Sequence, residues 1–402
     1  MTKLITFLGS LHFLLFFNSC TNNASELNLS KTSNFPSVKF SLPQENNDSV
    51  RTLTQDQALQ IKRLDDYFNQ LYSKKEFNGN IIISKKGKVI YHRSFGIADS
   101  KSKKKLKVNS VFQLASVSKT LTSTLILMLY QEGKLDIFQK VTNFLPDFPY
   151  PDVTVDNLLA HRSGLPNYLY FTTNYANPDS AGFNNEIVYR LMTKNAPKSY
   201  AKPDRVFDYS NTNYFLLSLV VEKVSGKRFE DVMREKIFKP LGMLNTYFYS
   251  ESSIIPDSLN TIGHDERMRV LLPDHFDPVK GDKGIFSTTY DMLLFLEAFH
   301  NYKLLSKNMV ELATSPKSKE KKVNNYGYGW RLKDFETTDK LVFHNGWWRG
   351  YRTALHRYLK DSTSVVVLTN NLSLNAYRVK DFLYVLNGVP PDSLPSSQPN
   401  EH

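Results

Sequence analysis

The chain has 402 residues, 41% of them hydrophobic and 22% charged, which excludes a disordered protein and leaves room for one large domain or two around a substantial core. A formal charge of +12 would suit a nucleic-acid binder, but the lysines lie in short runs such as 101–107 and 317–322, the distribution of a solvated basic face. The 27 Phe and 22 Tyr are material for a core and for pocket walls.

Lys3 precedes a short apolar run, Leu4 to Phe17, interrupted by Gly9, Ser10 and His12. It is too short for a confident membrane span and reads as a signal peptide, residues 1–19. Cys20, the single cysteine, follows Ser19 directly and resembles the lipidation site of bacterial lipoproteins, although Phe17 and Asn18 depart from the usual aliphatic and small residues. The alternative is an incidental cysteine. Lipidation implies a protein in the periplasm or at the cell surface, anchored to a bacterial membrane. Residues 20–55, rich in Asn, Ser, Thr and Gln, then read as a flexible tether.

Order is expected from Asp56, with Ile61, Leu64, Phe68 and Leu71 on one helical face. Strands over 80–84 and 88–95 flank the turn signal Lys86-Gly87, and the lysine-rich segment 101–107 reads as a loop or solvent-facing edge. A helix from Ser116 to about Gln131, closed by Gly133, is apolar nearly all round and is therefore expected to be buried. From about 136 to 282 short helical patterns dominate, over 155–161, 185–194, 212–224 and 229–238, and read as a mainly helical insertion. Another helix spans 290–300. Strand patterns return over 328–332, 340–345, 352–359 and 364–369, and a Pro/Ser-rich tail, 390–402, is expected to be disordered. The fold class is α+β: an antiparallel β-sheet built from both ends of the chain and flanked by helices, with the helical subdomain inserted, in one catalytic domain over 56–389. A pocket belongs at the junction of the two parts.

Ser116 and Lys119 share a helix face at its positively polarised start. Desolvation penalises the charged form of a buried amine, and a neutral amine can accept a serine proton. Taken with its neighbours, Phe112 to Lys119 resembles the nucleophile segment of the serine β-lactamase and penicillin-binding-protein superfamily. The later segments resemble its class C branch, which also holds D,D-peptidases, D-amino-acid peptidases and esterases. These are Leu158 to Pro166, Phe207 to Tyr214, Gly284 to Met292, Tyr326 to Trp330 and His344 to Gly346, in the family's order over about 77–372.

That resemblance implies a β-lactamase/transpeptidase-like fold and an acyl-enzyme serine hydrolase. It makes Ser116 the nucleophile, with Lys119 and Tyr209 as acid and base. Asn211, His344, Asn345 and Gly346 would bind substrate, Gly346 by letting it approach the backbone. The oxyanion hole would be the backbone N–H groups of Ser116 and Trp347. Where β-lactamases of this class carry Lys-Thr-Gly, this chain has His344-Asn345-Gly346, which offers a β-lactam carboxylate less charge and no hydroxyl. Arg349 and Arg352, just beyond, are candidates for the missing charge. Trp347 and Trp348 would narrow the pocket.

The expected substrates are small peptides, esters or β-lactams, cleaved at an amide or ester bond. The alternatives are a catalytically weak lipoprotein that binds cell-wall fragments, or a true class C β-lactamase. His161-Arg162-Ser163-Gly164 is too local for a catalytic triad and is assigned to structure. No metal, cofactor or nucleic-acid motif is found.

Overall fold

In the computed structural model, residues 54–178, 181–250, 255–318, 324–333 and 340–394 are described. The signal peptide, Cys20 and nearly all of the tether lie outside them. Helix α1 (Gln55–Ser73) opens the fold, with Thr54 accepting from the Gln57 N–H and the Gln57 side chain returning the bond, a capping box. Strands β1 (Gly79–Lys85) and β2 (Lys88–Phe95) form the expected hairpin, and β3 (Ile97–Asp99) pairs with β4 (Lys104–Lys105) in the lysine-rich segment. After β5 (Phe112–Gln113) comes α2 (Ser118–Gln131), ending where Gly133 takes a φ of +69°.

The middle of the chain holds α3 (Val155–Leu159), α4 (Tyr168–Tyr175), α5 (Asn185–Asn195), α6 (Asn211–Ser225), α7 (Phe229–Met233) and α8 (Lys239–Leu241). A short strand, β6 (Tyr247–Phe248), then pairs with β7 (Ile285–Ser287), which also holds β5. Helices α9 (Thr289–His300) and α10 (Lys307–Ala313) lead back to the main sheet. Its later strands are β8 (Asn324–Tyr326), β9 (Arg331–Lys333), β10 (Leu341–Trp348), β11 (Tyr351–Tyr358) and β12 (Thr363–Thr369), and α11 (Val379–Leu386) closes the fold.

The seven strands lie in the order β2-β1-β12-β11-β10-β9-β8, every pair antiparallel, so both ends of the chain do build one sheet. Alternation along the strands separates its two faces. Ile81, Ile83, Val365 and Val367 pack with Leu64 and Phe68 of α1 and Phe382 of α11. Ile82, Val366 and Leu368 join the larger core beneath α2, α6 and α9. Glu297 of α9 pins that helix to the sheet, its Oε1 accepting from Ser84, Ser364 and Arg357 at 2.9, 2.7 and 2.9 Å.

Four expectations change. Tyr328-Gly-Trp330 is a turn between β8 and β9, because Gly329 adopts a φ of +78° and a Cβ there would meet Ser123 Oγ at 2.1 Å. Strand β10 runs on through the motif to Trp348 rather than stopping at Asn345. Residues 229–238 are helical in two pieces, α7 and a π-helical turn over Arg234–Phe238. The first residues of the supposed tail form a 3-10 turn, Pro391–Ser393.

Candidate active site

The helix does not begin at Ser116. A single 3-10 turn, Ala115–Val117, precedes α2, and Ala115 sits in the left-handed region at φ +49°, which is costly for a residue with a side chain. The turn is fastened on both sides: the Leu114 N–H donates to the Ile285 carbonyl at 2.8 Å, and Thr353 Oγ1 donates to the Leu114 carbonyl at 2.8 Å. From Ser110 to Leu127, Ser116 alone is not buried. The turn therefore exposes one hydroxyl from an otherwise enclosed segment.

Lys119, one helical turn on, is wholly buried. Its Nζ lies 3.0 Å from Ser116 Oγ, 2.8 Å from Asn211 Oδ1 and 2.9 Å from the Asp282 carbonyl oxygen. The last two can only accept, so in either protonation state two N–H bonds go to them. The third position of the nitrogen faces Ser116, as a donor when charged and as a lone pair when neutral.

Tyr209 comes from the extended segment before α6, with Asn211 opening that helix. The Lys119 amine lies 5.1 Å from the centre of the Tyr209 ring. His161 holds this segment. Its carbonyl accepts from the Asp208 N–H at 2.9 Å, its Nδ1 accepts from the Ser210 N–H at 3.2 Å, and its ring lies 4.3 Å from that of Tyr209. Burial, with Lys119, His344 and Arg331 nearby, drives the His161 pKa well below its ordinary value, so the imidazole is neutral and Nδ1 is free to accept. Leu158 to Pro166 is thus a brace for Tyr209 and Asn211.

Strand β10 supplies the opposite wall. The Lys340 carbonyl accepts from the Leu359 N–H at 3.0 Å, which fixes the phase of the ladder: Val342, His344, Gly346 and Trp348 turn their peptide groups to β11. Asn345 and Trp347 turn theirs to the other edge, where pairing with β9 ends at Phe343. The hairpin closes through Arg349 at φ +40° and Gly350 at φ +82°, the two left-handed positions of a type I′ turn.

The structure shows how the residues expected here are held. His344 is wholly buried; its Nδ1 donates to the Asn345 carbonyl at 2.7 Å and its Nε2 accepts from the Tyr326 hydroxyl at 3.1 Å. Burial, then Arg331 and Lys119, hold its pKa well below the ordinary value. Gly346 is needed for the Ala115–Val117 turn: a Cβ there would meet Thr353 Oγ1 at 2.3 Å and the Leu114 carbonyl at 2.5 Å. Arg349 is paired with Asp274, and Arg352 is buried beneath the rings of Trp347 and Tyr377.

A different arginine stands in their place. Arg331 of β9 lies with its guanidinium carbon 5.2 Å from the centre of the Tyr209 ring, and its side chain makes no ion pair or hydrogen bond among the described residues. Sequence reasoning missed it because it follows the Tyr-Gly-Tyr-Gly-Trp segment as an ordinary strand residue; only the pairing of β9 with β10 brings it beside the site. Asn345 is half-buried and Trp347 is 60% exposed.

Comparison with known proteins places this geometry. The family profile described as Beta-lactamase matches residues 64–389. Penicillin-binding protein 4* of Bacillus subtilis (strain 168) is 34% identical over 358 residues, covering 82% of this chain and 77% of the relative. Teichoic acid D-alanine hydrolase of Staphylococcus aureus (strain NCTC 8325 / PS 47) is 27% identical over 322 residues, covering 79% and 76%. Among solved structures, the octameric penicillin-binding protein homologue from Pyrococcus abyssi superposes with a TM-score of 0.72 at 26% identity, covering 83% of this chain and 78% of that one.

Proposed function

This chain belongs to the β-lactamase family of serine hydrolases, and from that premise we propose that it cleaves amide or ester bonds of D-amino-acid-containing substrates through an acyl-enzyme at Ser116. The observation that carries the reading is the fixed position of Lys119, two of whose bonds are committed to acceptors while the third faces Ser116 Oγ.

The chemistry follows from that arrangement. Ser116 Oγ attacks the substrate carbonyl carbon as its proton passes to the Lys119 amine. The carbonyl oxygen, now an oxyanion, is received by the N–H groups of Ser116 and Trp347, the latter turned to the unpaired edge of β10. Such a donor typically contributes about 3 kcal/mol. Lys119 and Tyr209 return the proton to the departing amine or alkoxide, and the acyl ester forms. Water, deprotonated by the same pair, then releases the acid and restores Ser116. Asn211 keeps the amine in register throughout.

Charge narrows the substrate. Arg331 is a cation that has no ion-pair partner among the described residues and stands beside Tyr209, and the neutral rings of His344 and His161 supply no negative charge that would receive an ammonium. A D-alanyl group attached through its carboxyl presents an ammonium to such a site, whereas a peptide ending in a D-amino acid presents a carboxylate. The reading is therefore D,D-peptidase-like, at the cell envelope, with the anchor at Cys20. Neutral His344 in place of the family's lysine makes dedicated β-lactam hydrolysis the poorer fit.

Intact-protein mass spectrometry with a fluorophosphonate or penicillin probe tests the nucleophile. One covalent adduct is expected on the wild type and none on Ser116→Ala; no adduct on the wild type, or one that persists in the variant, removes the proposal.

A further inference from the structure

We propose that Lys283 is a positioning residue for acyl transfer, acting through Asp282 to hold the Lys119 amine against Ser116; this rests on the acyl-enzyme reading above. Asp282 faces two lysines at once. Its backbone carbonyl accepts from Lys119 Nζ at 2.9 Å, and its carboxylate Oδ2 accepts from Lys283 Nζ at 3.3 Å and from the Tyr168 hydroxyl at 2.9 Å. Lys283 also donates to the Tyr168 hydroxyl. Both charged side chains are sealed from solvent, at 3% exposure for Lys283 and 1% for Asp282.

The Asp282 carboxylate depends on this cation. Among the described residues its Oδ1 is buried without a hydrogen bond, so every described partner of the side chain acts through Oδ2. Removing Lys283 leaves a buried anion with one neutral donor, an arrangement that forces either the side chain or the peptide to move. The peptide is the part that matters to Lys119. Its predecessor is equally fixed: the Gly281 carbonyl accepts from Thr122 Oγ1 at 2.7 Å, and a Cβ on Gly281 would meet the Tyr214 carbonyl at 2.3 Å. Two consecutive carbonyls thus meet positions 119 and 122, neighbours on one face of α2.

Lys283 reaches the other wall as well. Its Nζ lies 4.7 Å from the centre of the Trp348 ring, and Trp348 is anchored by donating from Nε1 to Asp277. Trp348 follows the residue whose N–H faces the unpaired edge of β10. One buried cation therefore touches both the loop that holds the base and the end of the strand that receives the oxyanion. Burial draws the Lys283 ammonium below its usual range, Asp282 opposes this, and nearby Lys119 adds to it. A packed apolar residue would be the less costly occupant of such a position, so holding the peptide is a reason for a charge there.

The test measures acylation of the full chain by a chromogenic ester or penicillin in wild type, Lys283→Met, Asp282→Asn and the double variant, beside thermal melting. Lys283→Met keeps the stem and removes the charge. The expected result is an acylation rate lowered by about tenfold or more in each single variant, half-saturating concentration within about threefold, and a double variant no slower than the slower single one, since displaced groups cost rate when they act as a unit. A Lys283→Met rate within about twofold of wild type overturns the proposal, as does a loss that appears only in half-saturation or only in melting. If Lys283→Met does not fold, Asp282→Asn decides by the same criteria. A wild type that takes no label at Ser116 defeats the acyl-enzyme reading instead, which separates the two failures.

Discussion

The amide oxygen of Asn345 lies 2.9 Å from Nε2 of His356, and this contact decides which end of the amide is turned away from the ring. Burial pushes the His356 pKa down to about 3, so the ring is neutral near pH 7, and because an amide oxygen only accepts, Nε2 must carry the proton. Asn345 Nδ2 is left as a donor without a partner among the described residues. His356→Leu releases the amide to rotate. The expected outcome is a KM raised about threefold to tenfold for a carboxylate-bearing substrate with kcat little changed, in line with one neutral hydrogen bond. Steady-state kinetics on a D-alanyl-D-alanine peptide measures it, and an unchanged KM refutes the orientation.

Arg331 should distinguish substrates by charge. Its guanidinium stands beside Tyr209 with no counter-ion among the described residues, and a hydrogen bond to a charged group is worth about 1.5–3 kcal/mol, or roughly tenfold to a hundredfold. Arg331→Met is expected to lower kcat/KM by that factor for a peptide ending in a free carboxylate and by less than about threefold for the same peptide amidated. Equal losses on both would assign Arg331 to support of the Tyr209 ring alone.

Acid should weaken the fold, and the direction follows from several buried imidazoles. His300 and His356 have pKa values lowered to about 3 and His92 to about 4, each chiefly by burial, while unfolded they titrate near 6.5. Below pH 6.5 the unfolded chain binds protons that the folded one refuses. Their contribution is therefore present above pH 6.5 and is lost as pH falls toward 3–4, by about 1.4 kcal/mol per pH unit for each at the steepest. Asp291, raised by burial to about 6, works the other way, since its folded form takes up a proton sooner than the unfolded one. Urea melts between pH 7 and 5 should show the net loss. His300→Phe, at a ring whose Nε2 has no partner among the described residues and which packs on Phe299 and Trp330, should flatten the slope by about one histidine's share.

Much of this architecture was legible because it is periodic. The apolar run Ile81-Ile82-Ile83 and the later strand patterns announced the sheet, and the unbroken apolar character of α2 announced the buried helix that Ser116 and Lys119 open. What stayed hidden depends on register and on distance in sequence. Arg331 acquires its place only when β9 pairs beside β10, and Asp282 matters through a carbonyl, which no side-chain pattern reports. The burial of His344 was not legible because motif position says nothing of it, and Tyr326 closes over it from 18 residues away. Helix α4, opened by Asn167 accepting from the Leu169 N–H, escaped notice because Tyr168 to Tyr175 is apolar on several sides and short.

Gly346 gives the sharpest separation between folding and catalysis. The residue lies in the middle of β10, where a glycine ordinarily weakens a strand, and its backbone is extended rather than left-handed. The reason for it is contact: the Ala115–Val117 turn leans on this point, with Leu114 and Ala115 in the space a side chain would occupy. In Gly346→Ala the methyl would stand 2.3 Å from Thr353 Oγ1 and 2.5 Å from the Leu114 carbonyl. Thr353 Oγ1 is the group that holds that same carbonyl, so the substitution both breaks the tether and pushes the turn away. Ala115 is already strained at φ +49° and has little freedom to absorb the shift. A displacement of about 1 Å at a reacting group commonly costs about a hundredfold in rate. The expected outcome is loss of probe labelling at Ser116 by about that factor. The strand itself keeps both of its ladders, and overpacking typically costs about 1–3 kcal/mol, so circular dichroism and melting should still report a folded protein. Labelling within about threefold of wild type would show that the turn has another support, and Thr353→Val, which removes the tether without adding bulk, would then identify how much of its position rests on that hydroxyl.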